Sequence, residues 1–262
     1  MLRCGGARPG RRQARLRYLA GVERVEVAHV VEVALRDDTV GDARISSRIT
    51  VPPMAPGVVA QVQVHGAARA AVVTSATVAP GPDGGLVTLG DAVVPARLEA
   101  VLGSPPDGGP VRADASPVPV PVWQWLVLPA SPALRVPGPV LVTLEGPDGR
   151  RRVVQSGPSR PAPDGSLRVP LWIDPELVGS ASVFELRGDA RAGSTGYLAT
   201  VVNRGASARE VWIETALTPT PKRWLMDSFP VEPALTAELA RTAIRVAPGE
   251  TGRAGFQLDW AW

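Results

Sequence analysis

Two histidines, one cysteine and a group of three aspartates are the residues whose types and spacing could do chemistry in this sequence. His29 lies in "VERVEVAHVVEVAL", on the same side as Val25, Val27, Val31, Val33 and Leu35 and opposite Glu26 and Glu32. No cysteine, histidine or carboxylate stands at metal-ligand spacing from it, so it reads as a core histidine satisfied by a neighbouring backbone group. Nothing in the spacing brings His29 or His65 to a serine and an orienting acid, as a hydroxyl–histidine nucleophile requires. The stretch "RAGSTGY" comes nearest to a nucleophile elbow and lacks the Gly-x-Ser-x-Gly pattern. Asp37, Asp38 and Asp42 crowd "RDDTVGD", but without the alternating oxygen ligands and terminal glutamate of an EF-hand loop they read as a turn with solvated carboxylates. Cys4 lies in a basic leader that reads as disordered and positions nothing. Catalytic, cofactor-binding and metal-ligating residues are therefore not assigned, and a hydrolase using two of the 25 carboxylates stands as an alternative.

Binding residues are easier to name. Seven tryptophans outnumber three phenylalanines and two tyrosines. Trp123 and Trp125 share one face of the proline-spaced run "PVPVPVWQWLVL", which reads either as rings filling a gap between sheets or as an aromatic partner surface. Trp224 is a second partner candidate. Arg8, Arg11, Arg12, Arg15 and Arg17, with Arg3, precede every acidic residue; without these six the chain carries 22 basic against 25 acidic side chains. The net charge of +3 thus belongs to the leader, whose clustered arginines offer a polyanion or nucleic-acid contact as a further alternative. Twin arginines occur there, but no uncharged apolar run follows them before Glu23 and Arg24, so no secretion signal is read. No stretch of about 18 uncharged apolar residues is present, and no membrane span is expected. The placement implied is cytoplasmic, with the cell envelope as the alternative.

The elements that must position these residues are strands. Prolines (28) and glycines (27) punctuate short runs rich in valine, and the single cysteine excludes an intramolecular disulfide framework. Alternation marks "RISSRITV", "GVVAQVQVHG", "AAVVTSATV" and "LVTLGDAVVPARLEAVL", where Pro95 implies an edge strand or a strand start. Two apolar runs joined through Pro147, Asp148 and Gly149 predict a hairpin. "SLRVPLWI" and "SVFELRG" read as two further strands, and Asn203 before "RG" suits a tight turn. At the end, Ala254, Phe256, Leu258, Trp260 and Trp262 fall on one side of a core strand. The one helix candidate is "PALTAELAR". The expected fold is all-β, an immunoglobulin-like sandwich of two packed parts with little helix: a leader at 1–20, an N-terminal part at 21–116 and a C-terminal sandwich at 117–262.

Several phrases resemble the C-terminal β-rich domain of mucoidy-inhibitor-type bacterial proteins, a domain of unknown function. They are "PDGGLVTLGDAVVPARLEAVLGSP", "VPGPVLVTLEGPDGRRRVV", "YLATVVNRGASAREVWIE", "RWLMDSF" and "TAIRVAPGETGRAGFQLDWAW", spread over residues 75 to 262. The resemblance implies the β-rich fold and supplies no catalytic residues; no heptad run like that of the family's larger members occurs here. The combined expectation is a non-enzymatic structural or protein-interaction module of a bacterial assembly, without cofactor, joined to a protein partner or to further copies of itself.

Overall fold

A computed structural model describes residues 26–51, 53, 60–65, 72–78, 85–103, 116–131, 139–155, 160–161, 166–188, 191–216, 222–229, 234–235 and 239–261. Every regular element among them is a strand: β1 (Glu26–Leu35), β2 (Val40–Val51), β3 (Ala60–His65), β4 (Val72–Val78), β5 (Gly85–Leu102), β6 (Val118–Leu128), β7 (Val140–Glu145), β8 (Arg151–Gln155), β9 (Arg160–Pro161), β10 (Leu167–Gly188), β11 (Ala192–Asn203), β12 (Arg209–Ala216), β13 (Lys222–Phe229), β14 (Ala234–Leu235), β15 (Leu239–Val246) and β16 (Thr251–Ala261).

Alternation explains the strands, and turn chemistry explains where they stop. In β1, His29, Val31 and Val33 are buried while Ala28, Glu32 and Ala34 are exposed. Asp37 closes the β1–β2 hairpin: its Oδ1 accepts from the amides of Thr39 (2.8 Å) and Val40 (2.7 Å) and from the Thr39 hydroxyl (2.9 Å). Those amides, ahead of the hydroxyl, hold its carboxyl below the ordinary aspartate range. The expected hairpin at Pro147–Gly149 joins β7 to antiparallel β8, with Gly149 at a φ of 74°, where a side chain would be strained.

One sheet of 14 strands carries the order β13-β16-β11-β10-β6-β5-β2-β1-β7-β8, with β12, β15, β14 and β9 attached beside it and β3–β4 a separate pair. It surrounds two hydrophobic cores. The first takes Val31 and Val33 of β1, Ala43 and Ile45 of β2, and the inward residues of β7, together with Leu126 and Leu128 of β6 and Val169 of β10. Strands β7 and β10 stand far apart in the sheet order yet share this core, so the sheet curls; Arg152 of β8 lies 5.7 Å from the Trp172 ring of β10 across the closure. The second core takes Leu102, Val122, Leu177 and Tyr197 with Val211, Ile213, Ile244 and Phe256. Each fully buried aliphatic side chain here contributes on the order of 1.5–3 kcal/mol.

Strands β5, β6 and β10 run through both cores, and β5 and β6, on either side of residue 117, pair directly. "SLRVPLWI" and "SVFELRG" are one strand and not two: β10 continues through Asp174–Leu177, where its register against β6 shifts and Asp174 Oδ1 accepts from the Glu176 amide at 2.8 Å. Where a helix was expected at "PALTAELAR", the described residues are strand. Ala234–Leu235 forms β14 and Leu239 begins β15, because pairing with β12 and burial of Ala240 override a modest local helix preference. Pro95 sits inside β5, exposed, two residues before β6 joins at Arg97, a position where no ladder bond needs its missing N–H on that side.

Candidate functional site

Leu98 and Ala100 of β5 face the cores, so Glu99 between them faces the other way; the same alternation turns Trp125 of β6 and Arg168 of β10 away from the first core. On β12, Val211 and Ile213 enter the second core and turn Trp212 and Glu214 outward, as Ala240 does for Arg241 on β15. These two outward faces meet. The residues brought together are Glu99, Arg168 and Trp125 from one side and Glu214, Arg241 and Trp212 from the other.

Their charges alternate around a closed ring. Arg168 Nη2 lies 2.8 Å from Glu214 Oε1 and 3.8 Å from Glu99 Oε2. Arg241 contacts Glu99 Oε2 through Nη2 and reaches Glu214 Oε1 through Nε at 2.8 Å. Each arginine also covers a ring of its own side: Arg168 lies 5.1 Å from the Trp125 centroid and Arg241 3.7 Å from that of Trp212. The two carboxylates are almost fully buried, with side chains 3% and 7% exposed. Arg97, largely exposed, adds a third guanidinium at 2.7 Å from Glu99 Oε1. This contact and that of Arg241 Nε with Glu214 are ion pairs without hydrogen-bond alignment, and the buried indole N–H groups of Trp123 and Trp125 have no acceptor among the described residues.

A second polar group lies on the core side of the same strands, since Gln124 alternates with Trp125 and pairs with Ala100. Gln124 donates to Asp174 Oδ2 at 2.7 Å, and Arg209 donates to the same oxygen at 2.8 Å. Farther along, Asn203 ends β11 fully buried. Its Nδ2 donates to the carbonyls of Ser207 (2.8 Å) and Val246 (3.0 Å), and its Oδ1 accepts from the Gly205 amide at 2.9 Å. Asn203 therefore organises the turn through its side chain and ties it to the β15–β16 connection. Tyr197 stacks on Phe256 and donates to the Glu214 carbonyl at 3.5 Å; burial first, and then the Glu214 charge, push its phenol up.

The residues singled out from the sequence are scattered. His29 is buried, and its Nδ1 lies 2.8 Å from Ser47 Oγ on the paired strand β2. This serine–histidine pair is shut inside the β1–β2 hairpin, with both residues 2% exposed. Asp37 is committed to its turn, and the described residues hold no group of three or more histidine, cysteine, aspartate or glutamate side chains placed for a metal. Trp125 is an interior ring beneath Arg168, whereas Trp123, two residues along, is half-buried. Trp224 lies on β13, its side chain outside the description, and Arg8, Arg11, Arg12, Arg15 and Arg17 lie outside the described residues. The ring was not anticipated. A glutamate or arginine on the outward side of a strand reads as solvated, and the one short signal was a glutamate two residues from a tryptophan in "WIE".

No helix among the described residues is long and apolar enough to cross a membrane. Compared with protein-family models the chain matches none, and no curated protein matches it.

Proposed function

We propose that the chain is a non-enzymatic structural or protein-interaction module, two immunoglobulin-like β-rich parts joined back to back, acting within a bacterial protein assembly in the cytoplasm or at the cell envelope. The observation that carries this reading is an apolar strip left open on β6 and β10. Ile173 is 52% exposed opposite Trp123, and Val178 is 39% exposed opposite the exposed Pro121. Contiguous exposed apolar side chains of this kind mark contact surfaces. The partner surface is thus centred on Trp123, with Trp125 supporting it from within and Trp224 a separate candidate. The ring speaks against carboxylate chemistry: each glutamate is occupied by two or more guanidinium groups. Likeness to the mucoidy-inhibitor-type domain adds support through its phrases alone.

The test is recovery of the tagged chain from its own cells, with the complex sized by light scattering. Ile173→Arg and Val178→Arg are expected to abolish a stoichiometric complex, or self-association, while leaving thermal melting unchanged. A complex that survives both substitutions, or a monomer with no partner, rejects the reading.

A further inference from the structure

The strand pairing changes where the charged ring lies. The β2–β5 ladder ends at Arg97, and the pairing of β5 with β12 begins only at Ala100. Glu99 falls in that gap. On the other side, the β6–β10 register shifts between Pro170 and Trp172 and again between Ile173 and Val178. Pro170 has no N–H to give to a ladder. Arg168 stands just before these breaks. Strands β5 and β6 stay paired across the junction from Arg97 to Leu102, while β5 changes its other partner there and β10 loses register with β6.

The ring crosses it in both directions. Arg168, on the strands beside the first core, reaches Glu214 on the back of the second; Arg241, behind the second core, reaches Glu99. Each side supplies one glutamate, one arginine and one tryptophan, and neither side can neutralise its buried charges as well alone. Separation would leave charges in a poorly solvated layer, which is costly, although a buried ion pair adds little net stability over apolar residues of the same size. We propose that the Glu99–Arg241–Glu214–Arg168 ring is a conformational latch that makes the two cores open and close as one cooperative unit.

Hydrogen exchange on the native full-length chain is the first experiment. Core amides at Val31 and Ile45 are expected to exchange, through global opening, at the same rate as those at Val201 and Phe256, after correction for intrinsic rates. A difference of about tenfold or more in the unaltered protein would show independent opening and overturn the proposal. The second experiment replaces the ring by Glu99→Leu, Arg168→Met, Glu214→Leu and Arg241→Met together. Calorimetry is then expected to resolve two transitions without a large fall in the mean melting temperature. A single transition with equal calorimetric and van't Hoff enthalpies means that the ring does not couple the cores. If the fourfold variant does not fold, Glu214→Gln decides by exchange: protection must diverge between the cores, and a uniform fall in both overturns the latch.

Discussion

Asn203 and the charged ring are both buried polar devices, and they solve different problems. Asn203 is neutral and spends both N–H donors and its carbonyl on backbone groups of two neighbouring connections. It needs no partner side chain, so its geometry is decided within one end of the second core. The ring instead holds four ion-paired side chains from β5, β10, β12 and β15 against one another, and the buried indole N–H groups of Trp123 and Trp125 find no acceptor among the described residues. A neutral amide with matched partners fixes a local shape at modest desolvation cost; a ring of charges does little for net stability but makes the separation of its members costly.

The sharpest way to break this contrast is to remove one charge. Glu99→Ala leaves the guanidiniums of Arg168 and Arg241 with Glu214 as their one remaining shared partner and is expected to cost about 4 kcal/mol in denaturant unfolding. A loss near zero would mean that water already solvates the layer. Asn203→Ala comes next, at about 3 kcal/mol, since it strands the buried Val246 carbonyl and Gly205 amide and frees the Ser207 carbonyl. Its effect should be confined to exchange near Ser207 and Val246, where that of Glu99→Ala should spread through both cores. Packing without charge supplies the control: a Cβ at Gly179 would collide with the Leu102 side chain and stand 2.6 Å from the Val120 carbonyl, so Gly179→Ala is expected to cost about 2 kcal/mol.

Two titrations refine the comparison. Tyr197 has its folded value raised above the ordinary 10.0, by burial and then by Glu214, so its contribution to stability is intact below pH 10.0 and declines above it as the unfolded chain ionises. Phenolate absorbance should show this tyrosine resisting ionisation until the chain unfolds, and Glu214→Gln should let it ionise at lower pH. Should Glu214→Gln leave the titration unchanged, the ring and Tyr197 are not in electrical contact. The smallest effect belongs to Asp37, whose folded value is depressed. Its contribution is present above the ordinary 3.8 and is lost as pH falls through the lower folded value; Asp37→Ala should lower the melting temperature slightly at pH 7 and abolish that acid dependence.

Much of the fold was legible in local pattern. Alternation through Val31 and Val33, and through Ala254, Phe256 and Leu258, marks both a strand and its core face, because a pleated chain can bury only every second side chain. The Pro147–Gly149 hairpin was legible because positive φ at Gly149 is a local requirement. "SLRVPLWI" and "SVFELRG" were misleading for a related reason. Pro175 and its acidic neighbours look like a turn, and pairing with β6 before and after them, with β11 joining from Leu177, makes β10 one strand. His29 was legible as a core histidine, but its bond to Ser47 depends on the register of a second strand.

By itself, then, the sequence determined that the chain is built of strands and which side of each is apolar, since both follow from a two-residue period and from the turn residues between. Tertiary structure alone decided what covers the other side. Glu99 and Glu214 lie 115 positions apart in the sequence, and each sits on a strand face that would ordinarily be wet. Burial of those faces against each other is a non-local event, and it converts two ordinary surface glutamates and their arginines into a charged layer between two cores.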